Sequence, residues 1–310
     1  MSESQEVNFT TQLETFKEKI VDLKADKKNR LILIIMSNTH DPELSIGCAK
    51  DTTAVRKTFK EICGHIGYQF CSIEISGDNY SSKNLLATFD NIGLYNNVTV
   101  FYFTGHGFCY KKDSKSKYPQ LDMRYHSNRA DFNDMDFIEQ NTQSLKVLLQ
   151  IMRLYGGRIN IAIADCCSIT IQHPRKKNSA TELAIADDVM VAVSKRFTQK
   201  LYTDEDNMVC ILVSSSTQGQ SSIADNEIGS LFTHFFTNTL KTFLTDNIKG
   251  KQYFPWVKAL KSTAAKAFKE SRTYNIGNGG NDVPGKQNAV FDVFIESESD
   301  FEKRMNKHGW

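Results

Sequence analysis

The sequence predicts one doubly wound α/β domain, with a mostly parallel sheet of six strands covered by helices on both faces. Three observations predict it. Six short β-branched or aromatic runs alternate with stretches of helical periodicity. The first and third runs, residues 31–36 and 98–103, are almost unbroken in apolar residues, as strands buried on both sides must be. Neither an internal repeat nor a low-complexity linker divides the chain, and 310 residues suffice for a sizeable core.

In chain order, residues 1–28 form a charged amphipathic extension with Phe9, Leu13, Phe16, Ile20 and Leu23 at helical spacing. Either it lies as a helix on the domain, the reading we favour, or it is a removable extension. Strands follow at 31–36, 69–75, 98–103, 159–164, 209–213 and 290–295. Helices are expected at 49–63, 81–95, 142–155, 183–199, 231–244 and 253–271. These elements make a domain of residues 29–297, with 298–310 as a tail. Two polar segments, 108–141 and 168–181, read as structureless and follow directly on strand ends. Irregular stretches of that length inside a compact domain are more often functional than accidental. Residues 277–280, just before the final strand, read as a loop.

Composition excludes several classes of function. Thirty-eight Lys and Arg against 36 Asp and Glu give no basic surplus for nucleic acid or an anionic membrane. The longest apolar runs are too short to span a bilayer, and the polar N-terminus lacks the apolar segment of a signal peptide. Seven cysteines, an odd number without a C-x-x-C pair, suggest a reduced, intracellular (cytoplasmic) protein. The seven histidines include no H-x-x-x-H pair for a metal.

Ligands of open parallel sheets bind beyond the carboxyl ends of the strands. The third strand runs into Thr104-Gly105-His106-Gly107, and the fourth into Asp165-Cys166-Cys167-Ser168. If those strands are neighbours, His106 and Cys167 project into one crevice. A histidine beside a cysteine there is what thiol nucleophilic catalysis requires, because the thiolate is the attacking species. Glycines flanking His106 permit a sharp turn, and the Gly107 and Cys167 N–H groups are candidates to hold an oxyanion. Taken singly, a histidine after a strand or a buried cysteine is more often structural; their joint placement favours chemistry. Strand alternation points Cys166 into the core and Cys167 the other way.

These segments resemble motifs of one family. FYFTGHG is similar to the Y-[SA]-G-H-G histidine motif of caspases and metacaspases, and IADCCS to the metacaspase D-x-C nucleophile motif. IGCAKD resembles the metacaspase G-C-x-x-D segment, and VSSSTQGQSS with GSLFTHFF resembles the strand, Ser/Gln loop and helix start that follow. The likeness covers about residues 30–296, and it implies a caspase-like three-layer sandwich and a cysteine endopeptidase. The separation of 61 positions from His106 to Cys167 is near the roughly 50 of a caspase His-to-Cys order.

By this resemblance Asp165, Asp51 with Cys48, and Thr104 line the S1 pocket, where two carboxylates receive a Lys or Arg side chain. The alternatives are that Asp51 caps a helix over 52–63 and that Asp165 holds the nucleophile loop. The arginines with which caspases accept aspartate have no counterpart in the matching motifs. The family's H-S-G after the nucleophile is Ser168-Ile169-Thr170 here, and the acidic pair that binds calcium in many metacaspases is replaced at 141–144. No cofactor is required for the chemistry, and calcium enters only as an activator. Asp131, Asp134 and Asp136 form a nearby cluster of oxygen ligands, or simply a solvated acidic loop. Arg175, Lys176 and Lys177 fall where caspase-like enzymes carry a cleavable linker, which makes them candidates for self-cleavage. Protein or peptide substrates are the expected partners, with neither nucleic acid nor membrane among them. Two rivals remain: a catalytically silent caspase-like scaffold, and a nucleotide-binding domain, which would need a Gly-rich fingerprint after the first strand.

Overall fold

The computed structural model describes residues 10–15, 29–90, 97–111, 117–126, 134–154, 159–171, 207–247, 256–278 and 281–297. Strand β1 (Arg30–Ser37) leads through helix α1 (Ser45–Ile66) to β2 (Gln69–Ser76). Helix α2 (Ser82–Asp90), β3 (Asn97–Gly105), β4 (Gly107–Tyr110) and β5 (Gln120–Asp122) follow. Then come α3 (Met135–Gln140), β6 (Thr142–Ser144), α4 (Leu145–Leu154), β7 (Ile159–Cys166), β8 (Ile169–Ile171) and β9 (Asn207–Ser214). The chain continues through β10 (Ala224–Asp225), β11 (Gly229–Ser230), α5 (Leu231–Asn247) and α6 (Trp256–Ser271). It closes with the hairpin β12 (Asn275–Asn278) and β13 (Asn281–Pro284) and with β14 (Val290–Ser297).

All six expected strands lie in one sheet of order β14-β9-β7-β3-β1-β2. Every neighbouring pair is parallel except β14 against β9. The apolar runs are unbroken because alternate residues feed two different cores. Leu31, Leu33 and Ile35 pack with Phe59, Phe232, Phe236 and Trp256 on one face. Ile32, Ile34 and Met36 pack with Phe89, Leu145, Leu148 and Met152 on the other. Residues 10–15 are helical, and Leu13 is buried in this second cluster.

Several expectations are corrected. The described part of 108–141 is not structureless: β4, β5 and β6 join β8 in a second, four-stranded sheet of order β6-β5-β4-β8, and α3 packs beside it. Residues 142–144 are strand rather than the start of a helix. Residues 275–278 pair with 281–284 as a hairpin, where a loop was expected at 277–280. Helix α1 begins at Ser45, which puts Asp51 in its second turn and removes the capping role. The expected helix at 183–199, the tail 298–310, Asp131, and Arg175, Lys176 and Lys177 lie outside the described residues.

Candidate active site

The strand order changes direction beside β1: its chain successor β2 lies on one side and β3 and β7 on the other. A crevice opens at such a switch point beyond the carboxyl ends. Strands β1, β3 and β7 are consecutive neighbours, and the functional segments follow their last residues. The final register pair of β3 and β7 is Gly105 with Cys166, so His106 and Cys167 are the next residue on each strand. Beyond them the two segments pair again, Phe108 with Ile169, as β4 and β8. His106 and Cys167 are therefore bracketed between two ladders of the same two chain segments. Cys166 is 1% exposed and faces the core, whereas Cys167 is only partly buried.

Each side chain has defined partners. His106 Nε2 lies 3.0 Å from Asp41 Oδ2, with the imidazole about one-third exposed. Burial acts to raise the Asp41 carboxyl, but the Glu43 N–H and the His106 ring outweigh it and hold it below the usual carboxylate range. The Cys167 thiol faces the Ser222 carbonyl at 3.9 Å. Burial pushes this thiol up, against a smaller opposing effect of Ser222. The Asp122 N–H donates to the His106 carbonyl at 3.0 Å, which makes Gly107, opposite Leu121, a non-hydrogen-bonded position of that ladder. Its N–H consequently points away from β5.

The departure at Ser168-Ile169-Thr170 is accommodated by a serine-rich loop. Ser216 Oγ–H donates to the Cys166 carbonyl (2.8 Å), and Ser215 Oγ accepts the Cys166 N–H (3.1 Å). The Ser168 N–H donates to the Gln220 carbonyl (2.8 Å), and the Gly219 N–H to the Ser168 carbonyl (2.7 Å). The loop after β7 is thus tied to 215–220 on both sides.

Beside the crevice lie two buried carboxyls. Thr104 and Asp165 are register partners on β3 and β7, and Asp51 reaches in from α1. Asp165 accepts from Ser222 Oγ (2.7 Å), Thr233 Oγ1 (2.5 Å), the Thr233 N–H (3.2 Å) and Ser230 Oγ. Asp51 accepts from the Ser230 N–H (2.9 Å) and Thr104 Oγ1 (3.1 Å), the latter also 3.5 Å from Cys48 Sγ. Burial raises the Asp51 carboxyl well above the usual range, and the Asp165 charge raises it further. Burial likewise pushes the Cys48 thiol up to about 12. All four residues expected at S1 thus stand in one cluster.

The family model of the caspase domain matches residues 29–270. The chain belongs to the caspase-domain family of cysteine peptidases. Membership carries a cysteine peptidase-type function on proteins or peptides, and the six-stranded α/β architecture agrees with it. No curated protein matches the chain. In this caspase domain no described helix is long and apolar enough to cross a membrane.

Two site residues escaped sequence reasoning. Asp41 sits in an irregular turn between β1 and α1, and the only local signal was its place just after a strand end. Gln287, fully buried, accepts the Ile223 N–H (3.0 Å) and donates to Ser222 Oγ (3.1 Å), which in turn donates to Asp165. Of the acidic cluster, Asp134 accepts the Phe137 N–H (3.1 Å) as the N-cap of α3, and Asp136 lies in that helix's first turn. Among the described residues no three His, Cys, Asp or Glu side chains are grouped to hold a metal ion.

Proposed function

We propose that the protein is a metacaspase-like cysteine endopeptidase that cleaves after Arg or Lys, with His106 as general base and Cys167 as nucleophile. The observation that carries the proposal is the double pairing of the two segments, Gly105 with Cys166 and Phe108 with Ile169. The partly buried thiol is a poor acid by itself, so the reaction needs a base at hand. His106 takes the Cys167 proton, and the thiolate attacks the scissile carbonyl carbon. The Gly107 and Cys167 N–H groups hold the resulting oxyanion. The imidazolium then returns its proton to the leaving amine as the C–N bond breaks, and water hydrolyses the acyl-enzyme by the same route.

Specificity follows from Asp165 and Asp51. An incoming guanidinium or ammonium meets one carboxylate already held by four donors, and it favours loss of the proton from the other. Thr104 and Cys48 complete the S1 wall. Arg124 is 2% exposed and is engaged by Asp122 at 2.6 and 2.9 Å, so its charge is already committed. Self-processing after Arg175, Lys176 or Lys177 and activation by calcium belong to the same reading, as does an intracellular location.

The test is a fluorogenic panel with Arg, Lys and Asp at P1, with and without calcium, on the wild type and Cys167→Ala. Cleavage of Arg and Lys substrates that disappears in Cys167→Ala is expected. An inert wild type that still binds protein partners would replace the enzyme by a silent scaffold.

A further inference from the structure

The dyad just proposed has a third member in space. The three neighbouring strands β1, β3 and β7 deliver Asp41, His106 and Cys167 in turn, each just past a carboxyl end. The Asp41 carboxylate is fixed at both oxygens: Oδ1 accepts the Glu43 N–H at 2.9 Å, and Oδ2 meets His106 Nε2 at 3.0 Å. Its backbone is fixed as well, because its carbonyl accepts the N–H groups of Leu44 (3.1 Å) and Ser45 (2.8 Å) at the start of α1. Only 16% of the side chain is exposed, so water competes poorly for Oδ2.

We infer that Asp41 is the positioning residue of the active site, completing a Cys167-His106-Asp41 relay that rests on the dyad proposed above. An ionised carboxylate only accepts hydrogen bonds, so the ring nitrogen facing it must carry the proton. That makes Nε2 the N–H and leaves Nδ1 with the lone pair, as the nitrogen available to Cys167. When Nδ1 takes the thiol proton, the cation formed lies beside a fixed negative charge. Asp41 stays ionised throughout and exchanges no proton. It sets the tautomer and orientation of the base and stabilises its charged form. Among the titratable neighbours of this turn are Tyr80, whose hydroxyl donates to the Asp122 carbonyl at 2.6 Å, and His40. The His40 ring is stacked on Tyr125 at 4.2 Å and its Nε2–H donates to the Tyr125 carbonyl at 2.6 Å, and burial lowers its basicity. It therefore adds little positive charge beside Asp41.

Asp41→Asn tests this in the full chain. Asn keeps an oxygen for the Glu43 N–H but can turn its NH2 to the ring, which forces the wrong tautomer. Turnover of an Arg substrate is expected to fall about 10- to 100-fold with KM within about threefold. Asp41→Glu should recover part of the loss. The decisive readout is independent of activity: 15N NMR of the His106 ring should show the Nε2–H tautomer in the wild type and its loss in Asp41→Asn. An unchanged tautomer, or turnover within twofold of wild type, overturns the inference. His106→Ala separates the two levels: if it abolishes turnover while Asp41→Asn does not, the dyad stands and the relay falls. Full activity in His106→Ala removes the dyad itself.

Discussion

A Cβ placed on Gly107 would stand 2.6 Å from the carbonyl oxygen of Cys167 and closer still to Cys166 Sγ. The loop after β3 and the loop after β7 thus touch through a residue with no side chain to spare. Their spacing is set by backbone against backbone.

Gly107→Ala should therefore push the two loops apart. We expect loss of about 1–3 kcal/mol of stability from overpacking and a fall of at least about 100-fold in kcat/KM, since an ångström of misplacement suffices for that. Gly64→Ala is the matched control. That glycine is exposed in α1 with open space around it, and alanine there should stabilise the helix by about 0.5–1 kcal/mol. Denaturant titration with a fluorogenic substrate checks both.

The vicinal cysteines should behave oppositely. A thiol-reactive peptide probe with a basic P1 residue is expected to label the wild type and Cys166→Ala but not Cys167→Ala. Cys166→Ala should cost about 1 kcal/mol, the loss of a small buried hydrophobe. Labelling that persists in Cys167→Ala would move the nucleophile elsewhere.

What the sequence disclosed depended on how local each signal was. The four inner strands of the main sheet were legible because 8- and 9-residue strands buried on both faces leave continuous apolar runs, and the edge strand β2 because its burial alternates with period two. Cys167 and His106 were legible because each ends such a run. The second sheet was not, since β5, β6 and β8 have three residues apiece, too few for any period to register. Asp41 and Gln287 were hidden for a different reason. Their roles are contacts at sequence distances of 65 residues to His106 and 65 to Ser222, which no local pattern encodes. Asp51 stands in the cluster where the sequence placed it, but the alternative role as a cap fails because α1 starts six residues before it. The first turn of α1, before residue 49, carries too little apolar periodicity to mark that start.

Gln287 offers a test of how the proposed S1 cluster is supported. Gln287→Leu keeps most of the volume but strands the buried Ile223 N–H and leaves Ser222 Oγ without its amide donor. We expect about 1–3 kcal/mol of destabilisation from the unmet N–H. Ser222 would then be free to turn from Asp165, so KM for an Arg substrate should rise several-fold with kcat changed less. Equal losses in kcat and kcat/KM would assign Gln287 to the transition state instead.

Asp51 links the pocket to pH. Its carboxyl is raised in the fold by burial and by Asp165, while in the unfolded chain it titrates near ~3.9. Below that pH both states hold the proton and no penalty arises. As pH rises past it, the unfolded chain loses a proton that the fold retains, so stability falls with rising pH until the folded group ionises too. Asp51→Asn keeps an acceptor for the Ser230 N–H and an NH2 for Thr104 Oγ1 without this penalty. Its melting temperature should exceed that of wild type at neutral pH and converge with it in acid. The same ionisation should serve substrate binding: KM for an Arg substrate should fall as pH rises in the wild type, because the deprotonated pocket holds the cation better. In Asp51→Asn that slope should vanish, with KM raised about tenfold or more by loss of a charge-assisted contact. A variant that is stabilised yet binds Arg substrates as well as wild type would show that Asp165 alone supplies the charge.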